Sequence, residues 1–173
     1  MRTLLLKDVS TAYVEGINDP EVYRYLLLAD KGRQTIRSIK KYVRANLDSG
    51  TAILFGIFLP AGELIGTIRL SGISYYHYCC DVGICLFAKE HWNKGYAAEA
   101  LDKVVSFIFD TLGLHYIEAG VFTENASSVN LFLKAGFVIR CVYGDKLRLN
   151  NHFAEVTILC RINTRFDFNK LMR

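Results

Sequence analysis

The sequence predicts a mixed α/β (α+β) domain, and three observations carry that expectation. β-rich runs alternate with helical runs along the whole chain, a strand, a loop and a helix follow one another directly over 79–112, and only two prolines and no repeat or low-complexity tract interrupt the pattern. At 173 residues one core of ordinary size can hold all of it, so a single domain over 1–173 is expected.

Residues 3–7 read as a short strand. "TAYVEGIN" reads as a helix capped by Ser10, and in "NDPEVYRYLLL" Asp19 caps a second helix with Pro20 first and Glu21 in the positive first turn. Over 35–48, Ile36, Ile39, Val43 and Leu47 recur at helical spacing, with Arg37, Lys40, Lys41 and Arg44 on the other faces. This basic side is either a solvated face or a contact to an acidic part of a substrate.

"TAILFGIFL" and "ELIGTIRLSGI" read as a hairpin turning at Pro60 and Gly62, and "CCDVGICLF" as the next strand. A helix over 96–112 ends at Gly113, "LHYIEAGVF" is a strand, and "NASSVNLFLKAG" is a helix closed by Gly136. Strands over about 137–149 and 152–162 flank a turn near Asn150 and Asn151. Seven strands and five helical runs are read, and a seven-stranded sheet flanked by about four helices is expected.

With 51% apolar and 22% charged residues, disorder of the whole chain is excluded. The net charge of +4 favours anionic ligands without requiring a polyanion, and no groove-reading motif or long basic stripe points to nucleic acid. The five cysteines, Cys79, Cys80, Cys85, Cys141 and Cys160, are odd in number and mostly lie in apolar strands, so reduced buried thiols are expected. No Cys-x-x-Cys or paired-histidine spacing suggests a metal. The three leucines of "MRTLLLKDVS" are too few for a signal-peptide core, and no window approaches the roughly 18 apolar residues of a membrane span. A cytoplasmic location without membrane contact is the expectation.

The stretch "HWNKGYAAEAL" places Lys94 and Gly95 before a helix with no N-cap side chain. The first N–H groups of such a helix lack partners and carry partial positive charge, so an anion, above all a pyrophosphate, can supply the acceptors. Gly95 permits close approach, Ala97 and Ala98 leave the helix mouth open, and Lys94 adds a full positive charge. Neither Gly-x-x-x-x-Gly-Lys-Ser/Thr nor Gly-x-Gly-x-x-Gly is present, which argues against an NTPase or a Rossmann dinucleotide site.

The element order and two motifs resemble the GNAT superfamily of acetyl-CoA-dependent N-acetyltransferases over nearly the whole chain. The acyl-CoA loop of that family, Gln/Arg-x-x-Gly-x-Gly/Ala, is matched by "WNKGYA" at Gly95 and Ala97, with Trp92 in the Gln/Arg place. "W-G-K-G-Y-A-T-E-A" is a form common in the ribosomal-protein-acetyltransferase-like (RimJ/RimL type) branch, from which Asn93 and Ala98 depart. Asn-x-x-Ser with Lys-x-Gly-Phe is matched at Asn125, Ser128, Lys134, Gly136 and Phe137.

The resemblance implies a mostly antiparallel seven-stranded sheet with splayed central strands, and acetyl-CoA as co-substrate. Pantetheine would pair with backbone around Ile84, Cys85, Leu86 and Phe87, and the pyrophosphate would sit on amides from Trp92, Asn93, Lys94, Gly95, Tyr96, Ala97 and Ala98. Asn125 and Ser128 would lie near the thioester and the pantetheine arm. Many relatives use a Tyr seven positions after the Asn as acid; here Phe132 stands there, which leaves Ser128, a water or the thiol's own low pKa.

Asp81 and Glu118 are the best candidate bases, since a carboxylate within an apolar strand needs a reason, which structural hydrogen bonding would also supply. Glu155 on the last strand is a further base or substrate contact, as is His77, which also reads as an exposed turn histidine. The first helices resemble a branch associated with bacterial surface-polysaccharide sugars, which implies a small-molecule amine such as a nucleotide-linked amino sugar, with Arg37 and its basic neighbours meeting the diphosphate. A protein N-terminus and a non-catalytic acyl-CoA-binding module are the alternatives. A polyamine is disfavoured by the net positive charge. A monomer or homodimer is expected.

Overall fold

The computed structural model describes residues 1–26, 32–149 and 151–168. Its elements run β1 (Arg2–Thr3), α1 (Thr11–Asn18), α2 (Pro20–Tyr23), α3 (Ile36–Leu47), β2 (Ile53–Phe58), β3 (Leu64–Ser74), β4 (Cys79–Leu86), α4 (Tyr96–Ser106), β5 (Tyr116–Phe122), α5 (Ala126–Lys134), β6 (Val138–Leu149) and β7 (His152–Ile162). The strands form one seven-stranded sheet in the order β1-β2-β3-β4-β5-β7-β6. All neighbours are antiparallel except β4 and β5, which α4 connects in parallel, as a crossover requires.

Local chemistry sets the helix starts. Ser10 Oγ accepts from Tyr13 N–H at 3.2 Å, and Asp19 accepts from Glu21 N–H at 2.9 Å beside Pro20. Thr35 and Ser38 cap α3 reciprocally, a capping box. The apolar face of α3 is narrower than the spacing suggests: Ile39 and Val43 are buried, whereas Ile36 and Leu47 are exposed. The expected strand over 3–7 shrinks to Arg2–Thr3, because the Asp8 carboxylate accepts from Leu5 N–H and binds Arg2, curling Leu6–Asp8 into a 3-10 turn. The helix predicted over 96–112 is α-helical to Ser106 and continues to Thr111 as a wider π turn. Counting the one-turn α2, the helices number five among the described residues. The end of the predicted second helical stretch and Asn150 of the last turn lie outside the described residues.

The two faces of the sheet bury separate cores. Leu101, Val104 and Ile108 of α4 and its π turn pack with Ile68, Leu70, Ile117 and Leu159 on one face. On the other, Tyr13 and Ile17 of α1 and Ile39 and Val43 of α3 cover Leu54 and Phe87. All five cysteines are free thiols, and burial pushes those of Cys80 and Cys85 up to about 12. No helix among the described residues is long and apolar enough to cross a membrane.

Candidate active site

Pairing between β4 and β5 stops early. Cys79, Cys80 and Asp81 pair with Tyr116, Ile117 and Glu118, after which both strands continue, to Leu86 and Phe122, without bonding each other. The central strands are therefore splayed. Phe87 N–H is turned toward β3, where it donates to Ile65 O at 3.1 Å. Strand alternation then turns the N–H and C=O of Leu86 and Ile84 into the gap and those of Cys85 toward β3. Phe87 is thus engaged on the closed side, with its ring stacked on Tyr13 at 4.6 Å, and Cys85 likewise offers its backbone to β3 rather than to the gap. Leu86 O already accepts the Trp92 indole N–H at 2.7 Å.

That hydrogen bond ties the loop after β4 to the edge of the gap. Lys89 anchors the loop's other side through ion pairs with Asp19 at 2.9 Å and Glu21 at 3.4 Å. Asn93 and Gly95 both take left-handed backbone, φ 58° and 85°, and Gly95 is the N-cap of α4 with no side chain closing it. No atom lies within 4 Å of where a Gly95 Cβ would stand. Lys94 is exposed, and Tyr96, Ala97 and Ala98 are half-buried. The result is an open, uncapped helix start beside the end of β4. A cavity of about 660 Å³ next to the loop, lined by residues including Glu15, Asp19, Phe87 and Lys89, shares only Phe87 with the candidate residues.

Asp81 and Glu118 stand opposite each other on the last bonded rung before the gap. Both project on the α1/α3 face, Asp81 exposed and Glu118 half-buried. Desolvation by the sheet and then the charge of Glu118 raise the Asp81 carboxyl above its ordinary 3.8, and Arg69 pulls it partly back. Arg69 is held by Asn46 Oδ1 of α3 at 2.8 Å. The Tyr116 hydroxyl donates to Glu118 Oε2 at 3.4 Å, and desolvation, then Cys160, push it up to about 12, so it stays a neutral donor.

The remaining candidates separate. Asn125 caps α5, its side chain accepting from Ser128 N–H at 3.2 Å, and Ser128 is half-buried beside it. Phe132 is buried against Phe137, 5.0 Å between ring centroids. Glu155 is exposed and shares the parity of Leu159, hence the α4/α5 face, across the sheet from Asp81. His77 is exposed on the β3–β4 turn, four residues before Asp81. Arg37 is exposed nine residues, about 13 Å of helix, from Asn46. Arg69, Tyr116 and Gly72 went unread in the sequence; Arg69, a charge inside an apolar strand, carried the same signal that singled out Asp81. The fold also gathers Glu63, Glu90 and His91, whose ligand atoms lie within 4.8 Å of one another, a grouping no sequence spacing announces.

The model of the acetyltransferase (GNAT) domain matches residues 1–138. An uncharacterized N-acetyltransferase, YoaA of Bacillus subtilis (strain 168), is 45% identical over 141 residues, 78% of each chain. The spermidine N(1)-acetyltransferase of Vibrio cholerae is 28% identical over 104 residues, 60% of each. A crystal structure of spermidine N-acetyltransferase from Vibrio cholerae in complex with CoA and spermine superposes with a TM-score of 0.84 at 21% identity over 95% of each chain. Matched over most of its length, the chain belongs to the acetyltransferase (GNAT) domain family, and it is an N-acetyltransferase.

Proposed function

We propose that the chain, acting as one domain over 1–173, transfers the acetyl group of acetyl-CoA directly to a primary amine in a ternary complex. The observation that carries this reading is the Asp81–Glu118 rung at the closed end of a gap whose other end meets the uncapped start of α4. Acetyl-CoA supplies a thioester carbonyl to which a neutral amine adds as the CoA thiol leaves. The free amides from Lys94 to Ala98 and the Lys94 ammonium bind the pyrophosphate, and Trp92 holds the loop against Leu86. Ile84 and Leu86 present backbone to the pantetheine amides, and Ser128 lies beside the thioester arm. Asp81, ionised and backed by Glu118, takes the proton that the attacking amine gives up. Phe132 offers no acid, so the thiolate departs on its own modest basicity or is protonated by water or Ser128.

For the acceptor, the exposed Arg37, Lys40, Lys41 and Arg44 of α3 favour a nucleotide-linked amino sugar, with His77 as an outer contact. A second reading, a polyamine, is favoured by the two adjacent carboxylates and by the activity named for the Vibrio cholerae relative. Net charge no longer disfavours it, because the potential an ammonium meets at the rung is set by the local pair. Thiol release from acetyl-CoA is to be followed with amino-sugar nucleotides, polyamines and N-terminal peptides. Turnover confined to the small amines supports the proposal, turnover with peptides alone replaces it by protein acetylation, and CoA binding without any turnover overturns it.

A further inference from the structure

The glycine on β3 beside the carboxylate rung differs from the left-handed glycines that stand in open space. β3 and β4 are in register from Gly66–Leu86 to Ser71–Asp81 and meet again at Ser74–Cys79, so two residues of β3, Gly72 and Ile73, face the single Cys80. That is a β-bulge, a device that re-aims neighbouring side chains. Gly72 sits in it at φ 59°. Gly62, Gly95 and Gly113 also have positive φ, and a Cβ added to any of them meets nothing within 4 Å. A Cβ on Gly72 meets one atom, Asp81 Oδ2, at 3.1 Å. Backbone conformation alone accounts for the first three; at Gly72 the missing side chain is also the room that the Asp81 carboxylate occupies.

We propose that Gly72 is a positioning residue for acetyl transfer: by omitting a side chain at the β3 bulge it lets the Asp81 carboxylate stand beside Glu118 over the last bonded rung. The proposal rests on the reading of Asp81 as proton acceptor. A side chain at position 72 displaces that carboxylate by a few tenths of an ångström, because the carboxylate is the flexible partner in the contact. A misplacement of 1 Å costs about a hundredfold in rate, so a few tenths cost roughly threefold to tenfold. The charged groups that face Asp81 across the sheet are Glu118 from β5 and Arg69 from β3, and a moved carboxylate meets both differently.

The test compares Gly72→Ala with Gly62→Ala, which carries the same kind of backbone strain in open space. Both are assayed with acetyl-CoA and the fastest amine of the panel, in the wild-type and Asp81→Asn backgrounds. The expected result is a roughly threefold to tenfold fall in kcat/KM for Gly72→Ala with a moved acidic limb of its pH profile, CoA affinity within about twofold of wild type, and no further loss on top of Asp81→Asn. Gly62→Ala is expected to keep wild-type turnover. An equal loss in the Asp81→Asn background, an equal loss in Gly62→Ala, or no loss at all overturns the proposal. Wild-type turnover in Asp81→Asn overturns the proton-acceptor reading and this proposal with it, whereas impaired Asp81→Asn beside unimpaired Gly72→Ala overturns this proposal alone. Should Gly72→Ala fail to fold, Gly72→Asn, which tolerates left-handed backbone, carries the same expectations.

Discussion

Replacing Gly95 by glutamate separates binding from folding, because the two effects of the new side chain on the fold nearly cancel. An L-residue at φ 85° costs about 1 kcal/mol in backbone strain. A carboxylate at a helix N-terminus returns roughly 0.3–1 kcal/mol through the dipole, and the open space around the position adds no clash. The fold is therefore expected to lose less than about 1 kcal/mol. Toward a pyrophosphate the same carboxylate is repelled by about 4 kcal/mol per unit charge at 4 Å in the effective dielectric near a protein surface. Screening and side-chain rotation reduce that, and a loss of at least about a hundredfold in CoA affinity is expected. Calorimetric titration with CoA, beside urea denaturation, reads both quantities. A Gly95→Glu protein that is folded and binds CoA as the wild type does would refute the assignment of the loop.

Asp81→Asn is expected to lower turnover by about a hundredfold or more with unchanged CoA affinity, measured by steady-state kinetics and titration. Because the native sheet raises the Asp81 carboxyl, the ionised form is disfavoured by folding: its effect is a loss of stability as pH rises through the raised value, so Asp81→Asn is expected to be neutral to slightly stabilising at pH 7. The side chain is exposed, which keeps that gain small. The same shift places the acidic limb of kcat/KM above the ordinary 3.8, with activity rising as Asp81 ionises. Trp92→Phe removes the indole donor from Leu86 O and is expected to cost about 1 kcal/mol in urea denaturation and several-fold in CoA affinity. Phe132→Tyr is expected to destabilise by roughly 1–3 kcal/mol without raising turnover, since the ring is 2% exposed and packed on Phe137; a faster enzyme would show that the hydroxyl reaches the gap.

Much of the fold was legible because its signals are local. Ser10, Asp19 with Pro20, Gly113 and Gly136 mark helix ends by chemistry that acts within one turn, and the helices start or stop at them or, at Gly113, just short of it. What escaped was set by particular side-chain contacts and by the path of the folded chain, which residue patterning does not announce. Asp8 curls the expected first strand through Arg2 and Leu5, and Ile36 and Leu47 of α3 are left exposed because its contact with the sheet reaches only Ile39, Val43 and Asn46. The absent N-cap at Gly95 was readable in sequence; that Trp92 uses its indole on Leu86 was not, because it needs the loop's path. Asp81 and Glu118 stood out separately as charges in apolar strands, but only the parallel register brings them to one rung. Glu155 looked equivalent until β7's parity put it on the other face.

The central claim is direct transfer to an amine at the mouth of the β4–β5 gap, and the initial-velocity pattern with acetyl-CoA and the acceptor varied together tests it most directly. Intersecting double-reciprocal lines, with no acetylated protein detected by mass spectrometry in the absence of amine, are predicted. Parallel lines with an acetyl group trapped on a side chain of the protein would contradict it.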